Sequence, residues 1–337
     1  MSLNKKGVSI IICCYNSANR LKKTLYYIAQ QQLIAEAAYE LIIVDNASND
    51  DTQQVALSEW NKLAVPQIPL KIVSESDPGL SNARKKGVTE STYDYLIFCD
   101  DDNWLESDYL SSVFSFFEQH PSVAILGGWA TAVIEDTVTA PLWFNKFHDN
   151  YATGPQAAET NINMGTVYGA GMAIRKSVLQ SSGYKKMPSI LSGRQGKSLT
   201  AGEDSELCFK VRLLGYQIAY LDQLQLKHYL PRERLNWDYL KKLNKGFAHS
   251  FVPLDLYQWA LNNNQKPLPK FYWIRKFLYY SGICVKYWPG QYSIYKKKQG
   301  TVEEIRHITW IAIAKDYLKY NIKTKKWYAD IVSNTTG

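Results

Sequence analysis

Residues 93–104 read Tyr-Asp-Tyr-Leu-Ile-Phe-Cys-Asp-Asp-Asp-Asn-Trp. Leu96–Cys99 has the length and residue types of a buried strand. Three adjacent carboxylates follow it, Asp100, Asp101 and Asp102. Like charges side by side repel one another, and a packed core offers them no compensation. They make chemical sense if a divalent cation sits at the C-terminal end of the strand, where open α/β sheets place their ligands. Carboxylate oxygens suit Mg²⁺ or Mn²⁺, which usually complete their shells with water and substrate phosphates. An ordinary acidic turn is the alternative, and the rest of the chain has to decide between the two.

Upstream, the same pattern repeats. Val8–Cys14 is an apolar, β-rich run closed by Tyr15-Asn16-Ser17, with Ser17 or Asn19 expected to cap a helix carrying Leu21, Leu25 and Ile28. Glu40–Val44 is a second strand with Asp45-Asn46-Ala47-Ser48 behind it, and a helix is expected over Asp51–Leu63. Leu70–Ser74 is a third strand; Pro78-Gly79 makes a turn, and Ser81 opens a helix through Val88. Strands alternating with helices at this spacing predict βαβ units and a mostly parallel sheet, with the loops after each strand gathered on one edge. No G-x-G-x-x-G follows the first strand and no Walker loop is present, which argues against a dinucleotide or NTP-hydrolase site.

Downstream, a helix is expected near Ser107–Gln119 and strands at Ala124–Ala132 and Gly169–Ile174, with Ser177 capping a short helix. Pro141–Gly165 is aromatic and irregular. Ser192–Gly202 is polar and glycine-rich, the pattern of a mobile loop. Glu203–Leu214 is a helix ended by Gly215, and Gln217–Leu221 and Gln225–Tyr229 are short extended segments.

Of the 337 residues, 46% are hydrophobic and 21% charged, the balance of a folded protein. The net charge of +8 is unevenly placed: residues from Pro231 onward hold 19 Lys/Arg against 7 Asp/Glu, and the residues before it 20 against 24. The five cysteines match no zinc or disulfide spacing and read as small core residues in a reducing compartment. The polar start from Met1 to Gly7 reads as lacking a signal peptide, and no run of about 18 apolar residues suggests a membrane span. The expected location is the cytoplasm, with attachment to the inner face of the cell membrane as a variant of it.

Six segments together resemble the family 2 glycosyltransferases of the GT-A fold: VSIIICCYN (8–16), ELIIVDNASND (40–50), GLSNARKKG (79–87), YLIFCDDDN (95–103), GAGMAIRKSVL (169–179) and GEDSELCFKVRLLGY (202–216). The likeness covers roughly residues 7–230. It implies an α/β catalytic domain over 1–230, with a nucleotide-sugar half (1–103) and an acceptor half (104–230), followed by a basic, aromatic-rich helical region over 231–337. It also implies a nucleotide-diphosphate sugar as donor, Mn²⁺ or Mg²⁺ as cofactor, and transfer to an acceptor hydroxyl with inversion.

The resemblance carries roles to particular residues. Tyr15 falls where the family packs a tyrosine on the nucleobase. Asp45-Asn46 stands where paired acids are usual, and the amide of Asn46 could pair with a pyrimidine edge, so uracil or thymine fits. Asn16, Ser48 and Gly79 join them in the donor loops, and Arg84 falls on the donor-side arginine, where a surface ion pair is the plainer reading. Cys13-Cys14 replaces the usual Pro-Thr or Pro-Ser. Asp100 and Asp102 match the D-x-D motif: Asp102 is implied as metal ligand, and Asp100 or Asp101 as partner of the ribose or of a metal-bound water. Asp204 is implied as general base with Glu203 beside it; the plainer reading is an acid pair stabilising a helix N-terminus. His228 is implied as a further metal ligand, and Arg232 and Arg234 as a lid over the diphosphate. Trp143, Gln156, Gly169 and Gly171 fall in the part that shapes the acceptor site of such folds.

Beyond Lys270, Phe, Trp and Tyr interleave with Lys and Arg, and Glu303–Tyr320 places Ile305, Ile308, Ile311, Ala312 and Leu318 among bases. Basic amphipathic helices lie on anionic membranes or pack on their own domain with a charged outer face. Single-stranded nucleic acid would suit the same interleaving, but the acidic body speaks against it, and no nucleic-acid partner is expected. The expected function is therefore extension of a bacterial surface glycan, from a UDP-sugar, on a glycan or lipid-linked acceptor. Its rivals are a nucleotidyltransferase, which would need a Gly/Lys-rich loop after the first strand, and an inactive carbohydrate- or membrane-binding protein, which would have no use for Asp204.

Overall fold

A computed structural model describes residues 5–191, 193, 201–297 and 301–333. The first half runs β1 (Gly7–Cys14), α1 (Leu21–Ala29), β2 (Ala38–Asn46), α2 (Thr52–Leu63), β3 (Leu70–Glu75), α3 (Leu80–Glu90), β4 (Tyr95–Asp100) and β5 (Asn103–Leu105). The second runs α4 (Tyr109–Gln119), β6 (Val123–Ile134), β7 (Ala173–Arg175), α5 (Lys176–Gln180), α6 (Ser182–Lys186), α7 (Glu203–Leu213) and β8 (Gln217–Leu230). Four helices follow: α8 (Trp237–Asn262), α9 (Tyr272–Lys297), α10 (Val302–Lys319) and α11 (Asn321–Ser333).

The strands form one sheet in the order β3-β2-β1-β4-β7-β6-β8-β5. Among the described residues β3, β2, β1 and β4 pair in parallel, as do β6 and β8, whereas β7 and β5 run antiparallel to their neighbours. The apolar runs of the central strands are continuous because both faces are covered. Along β1, Val8, Ile10 and Ile12 enter the core under α1, α2 and α4, while Ile11 enters the core under α3 and α7. β4 divides in the same way, Ile97 and Cys99 to one side and Leu96 and Phe98 to the other. Each such aliphatic side chain, fully buried, contributes roughly 1.5–3 kcal/mol.

Several sequence expectations are corrected. Ser17 does not cap α1 through its side chain; its hydroxyl donates to Asp101 and its carbonyl accepts from Arg20 and Leu21. The strand expected from Gly169 begins only at Ala173, because Gly171 turns the chain with φ of +69°. The two extended segments at 217–221 and 225–229 are one strand, β8, whose pairing with β6 absorbs the irregularity between them as a bulge. β5, three residues long, was not foreseen. The loop expected at Ser192–Gly202 lies outside the described residues except for Gly193, Ala201 and Gly202.

The basic C-terminal third is helical, as expected. Phe209 of α7 packs with Val252, Leu256 and Tyr257 of α8 and with Tyr317 of α10. Leu230, at the end of β8, packs with Phe144, Tyr151 and Leu240. The C-terminal helices thus share one apolar cluster with α7 and another with the end of β8.

Candidate active site

A cleft of about 1330 Å³ opens at the C-terminal edge of β1, β2 and β4. Its position follows from the parallel register, which puts Cys13 beside Asp100 and Cys14 beside Asp45. Asp100, at the end of β4, and Asp101 and Asp102, in the turn to β5, all line it. β5 then pairs with β8 so that Asn103 faces His228, and this brings the His228 Nε2 to 3.5 Å from Asp102 Oδ1.

Three aspartates around the cleft each hold an arginine from a different part of the chain. Asp101 accepts from Arg20 Nη2 at 2.6 Å and from the Ser17 hydroxyl. Asp102 lies 2.9 Å from Arg234 Nη1. Asp204 accepts from Arg84 Nη1 at 2.5 Å. Burial and then Asp102 raise the Asp101 carboxyl above the usual carboxylate range, and Arg20 and Ser17 oppose the rise. Burial alone would lower the Arg84 guanidinium; Asp204, Glu203 and Asp100 outweigh it and hold the charge in place. Arg234 is governed the same way, burial against Asp102. Arg84 also lies over the Phe98 ring, 5.0 Å from its centroid, which fixes where the guanidinium stands.

Glu203 and Asp204 open α7, where the exposed backbone N–H groups favour acids. Gly169 lies directly against Asp204: a Cβ there would overlap the carboxylate, so only glycine leaves room for it. Tyr15 is 50% exposed at the cleft's edge and presents a flat ring. Burial pushes the Cys13 thiol up to about 12, so this cleft-lining sulfur stays a neutral thiol at neutral pH.

The other candidates are held in bonds or contacts of their own. Asn46 reaches the cleft, but its amide donates to the carbonyls of Glu75 and Asp77, at 3.1 and 2.7 Å, and accepts from Gly79 N at 2.7 Å. Bonds from it to a base would compete with that turn. Asp45 accepts from Gln53 at 2.6 Å, and Ser48 Oγ accepts from Asn16 N at 3.0 Å; these two bonds brace the loops after β1 and β2. Gln156 lines the cleft while bonding Gly128 O and Tyr168 N. Trp143 is turned away and packs edge-on against Trp237 at 5.5 Å. Gly171 is buried under the Tyr109 hydroxyl, which donates to its carbonyl at 2.8 Å. Arg232 lies apart from the cleft lining, its N–H bonded to Glu135 at 2.9 Å, so of the two lid candidates only Arg234 reaches the acids.

Comparison with known proteins places the chain in a family. The model of Glycosyl transferase family 2 matches residues 9–183, half of the chain or more. The chain belongs to that family. A cholesterol galactosyltransferase of Borreliella burgdorferi is 33% identical over 113 residues, 34% of this chain and 30% of that protein. The succinoglycan biosynthesis protein ExoM of Rhizobium meliloti is 26% identical over 246 residues, 72% of this chain and 74% of that protein. The crystal structure of S. aureus TarS 1-349 superposes with a TM-score of 0.51 at 15% identity, covering 98% of this chain and 89% of that one, and establishes a shared GT-A fold. The chain spans less than half the length of several curated relatives that it matches.

Among the described residues no three His, Cys, Asp or Glu side chains converge into a preformed cluster. Asp102 with His228, and Asp100 nearby at the strand end, nonetheless offer oxygen and imidazole donors in the cleft lining, a fit for an ion that takes one or two protein carboxylates and completes its shell with phosphate oxygens.

Sequence reasoning missed the cleft's arginine Arg20 and its far wall. Leu243, Phe247, Phe251 and Leu254 of α8 line that wall, with Tyr239 and Ser250. Their spacing is a helical stripe and was a readable signal; its facing could not be read. Arg20 belongs to no pattern.

Proposed function

We propose that the chain transfers a sugar from a nucleoside-diphosphate sugar, with UDP as the leading candidate, to a hydroxyl of a glycan or lipid-linked acceptor in the building of a bacterial surface polysaccharide. The observation that carries this reading is the convergence of the Asp100–Asp102 turn and the Arg84–Asp204 pair on one cleft at the sheet's C-terminal edge. The names of the relatives, a galactosyltransferase acting on a sterol and a succinoglycan biosynthesis protein, point the same way.

In this mechanism Asp204 takes the proton of the acceptor hydroxyl as its oxygen attacks the anomeric carbon from the face opposite the diphosphate. The new C–O bond forms as the bond to the phosphate oxygen breaks, and that electron pair leaves with the diphosphate, giving inversion in a single displacement. Arg84 orients Asp204, and Glu203 at the same helix end helps to position the acceptor. The Tyr15 ring stacks on the base. Asp102 and His228, with Asp100, would hold a Mn²⁺ or Mg²⁺ ion, which when bound supplies Lewis-acid neutralisation of the departing diphosphate. Arg234 brings a second positive charge to the same place.

The test is thermal stabilisation by UDP, GDP, TDP, CDP and ADP with and without Mn²⁺. A nucleotide at a hundred times its dissociation constant adds about 2.7 kcal/mol. One diphosphate should shift the transition, need the metal to do so, and lose its effect in Asp102→Ala. No shift with any of the five would overturn the donor site.

A further inference from the structure

A second concavity, of about 700 Å³, lies between α9 and α10. Phe277, Cys284 and Val285 line it from α9, and Ile311, Ala314 and Leu318 from α10, with His307 and Lys315 at its polar edge. Amphipathic helices ordinarily turn such a stripe against a neighbour. Here much of it is open: Val285 is 73% exposed and Leu318 51%, and Leu278, next to the lining residue Phe277 in the chain, is 60% exposed. Contiguous apolar surface of this kind marks a place of contact.

Charge selects the occupant. Residues 270–333 contain 13 Lys/Arg and 4 Asp/Glu. Two of those acids are turned to other work: Asp316 is buried with an oxygen 2.6 Å from His249 Nδ1, and Glu304 accepts from Trp237 Nε1 at 3.1 Å. Lys286, Arg306, Lys315 and Lys319 are exposed and sit at or next to the groove's lining residues in the chain. An aliphatic floor with a cationic rim complements acyl chains beneath anionic headgroups. Nucleic acid would use the cations and leave the aliphatic floor in water.

We propose that the α9–α10 face docks the protein on a bilayer that contains anionic lipid, with the groove at the boundary between headgroups and acyl chains. No helix of the described residues is long and apolar enough to cross a membrane, so the attachment is of the kind that lies on the surface. The cleft is one helix away: Phe251 of α8 lines it and meets the Tyr280 ring of α9 edge-on at 5.5 Å. A docked protein therefore holds its cleft near the membrane plane, where a lipid-linked acceptor presents its sugar. The docking stands independently of the donor site, and its test uses no donor.

The experiment is co-sedimentation of the full chain with vesicles of phosphatidylcholine alone or mixed with phosphatidylglycerol, at low and high salt. Binding should favour the anionic vesicles by about tenfold or more and weaken with salt. Removing Lys315 and Lys319 as alanines should weaken it about fivefold per charge. Leu278→Glu with Val285→Glu, both at exposed positions, should abolish it while leaving thermal stability and nucleotide-induced stabilisation unchanged. Absence of binding at low salt, or equal binding by wild type and both variants, would overturn the proposal. So would a concentration-dependent self-association lost in Leu278→Glu/Val285→Glu without any vesicle binding, which would give the groove to a second copy of the chain.

Discussion

The guanidinium of Arg84, on α3, donates to the carboxylate of Asp204, on α7, across 2.5 Å and 120 positions of sequence. Both groups are largely withdrawn from water, with side chains 11% and 28% exposed. Removing one partner of such a pair leaves the other charge poorly compensated, at a cost approaching 3 kcal/mol. Arg84→Met should therefore lower stability by about that amount. Asp204→Asn should cost less, and the double variant less than the sum of the two. Chemical denaturation of the four proteins checks this; additive costs would mean that the two groups do not interact.

If Asp204 is the base, its loss falls on the chemical step. Asp204→Asn should reduce kcat by about 10²–10⁴ while KM for the donor changes little. A variant with full kcat would assign the proton to another group.

Gly169 is a sharper probe of position. An added Cβ meets the Asp204 carboxylate and pushes it aside. Gly169→Ala should lose up to about 10²-fold in kcat, the scale of a catalytic group misplaced by about an ångström. The unfolding temperature should fall no more than it does in Asp204→Asn, because the displaced carboxylate loses Arg84 but nothing else is removed. Kinetics and melting on one preparation separate the two effects.

Glu206, two residues beyond Asp204 on α7, predicts a pH dependence. Its carboxylate accepts from the N–H of Ile190 at 2.8 Å and of Leu191 at 3.0 Å, and from the Tyr257 hydroxyl at 3.0 Å. Burial nevertheless raises this carboxyl above its ordinary value of 4.5. The unfolded chain therefore gives up the proton at lower pH than the folded one, and as pH climbs from 4.5 toward the raised folded value the group's contribution to stability is lost. The stability advantage of wild type over Glu206→Gln should be largest in acid and shrink across that interval. A gap that widens with pH would show that the carboxyl is lowered instead.

Much of this was legible because the informative strands are local. β1, β2 and β4 are buried on both faces, and the acids that follow two of them stand out against the apolar runs. Asp204 was legible for the same reason, at the start of a helix after a glycine. What escaped was decided at long range. β5 exists because β8 pairs with it, and its three residues carry no period of their own. Gly169–Met172 reads as apolar and extended, yet Gly171 turns the chain there. Trp143 falls in the stretch expected to shape the acceptor site, yet it packs edge-on against Trp237 on α8, a partner nearly a hundred positions away that no local pattern announces. Arg20 and Arg234 carry no local mark of the aspartates that they hold.

Three aspartates at one cleft, each already holding a guanidinium from a distant element, give the site a built-in set of counterions. For the proposed donor, entry is then an exchange reaction. A diphosphate accompanied by a divalent cation would be a nearly neutral pair: Arg234 could turn from Asp102 to phosphate as the cation took its place, while Arg84 stays on Asp204, so that no charge is stranded. The affinity of such a site reflects a difference between two sets of ion pairs and not the sum of new ones, so it should respond to ionic strength far less than the chain's net charge of +8 would suggest.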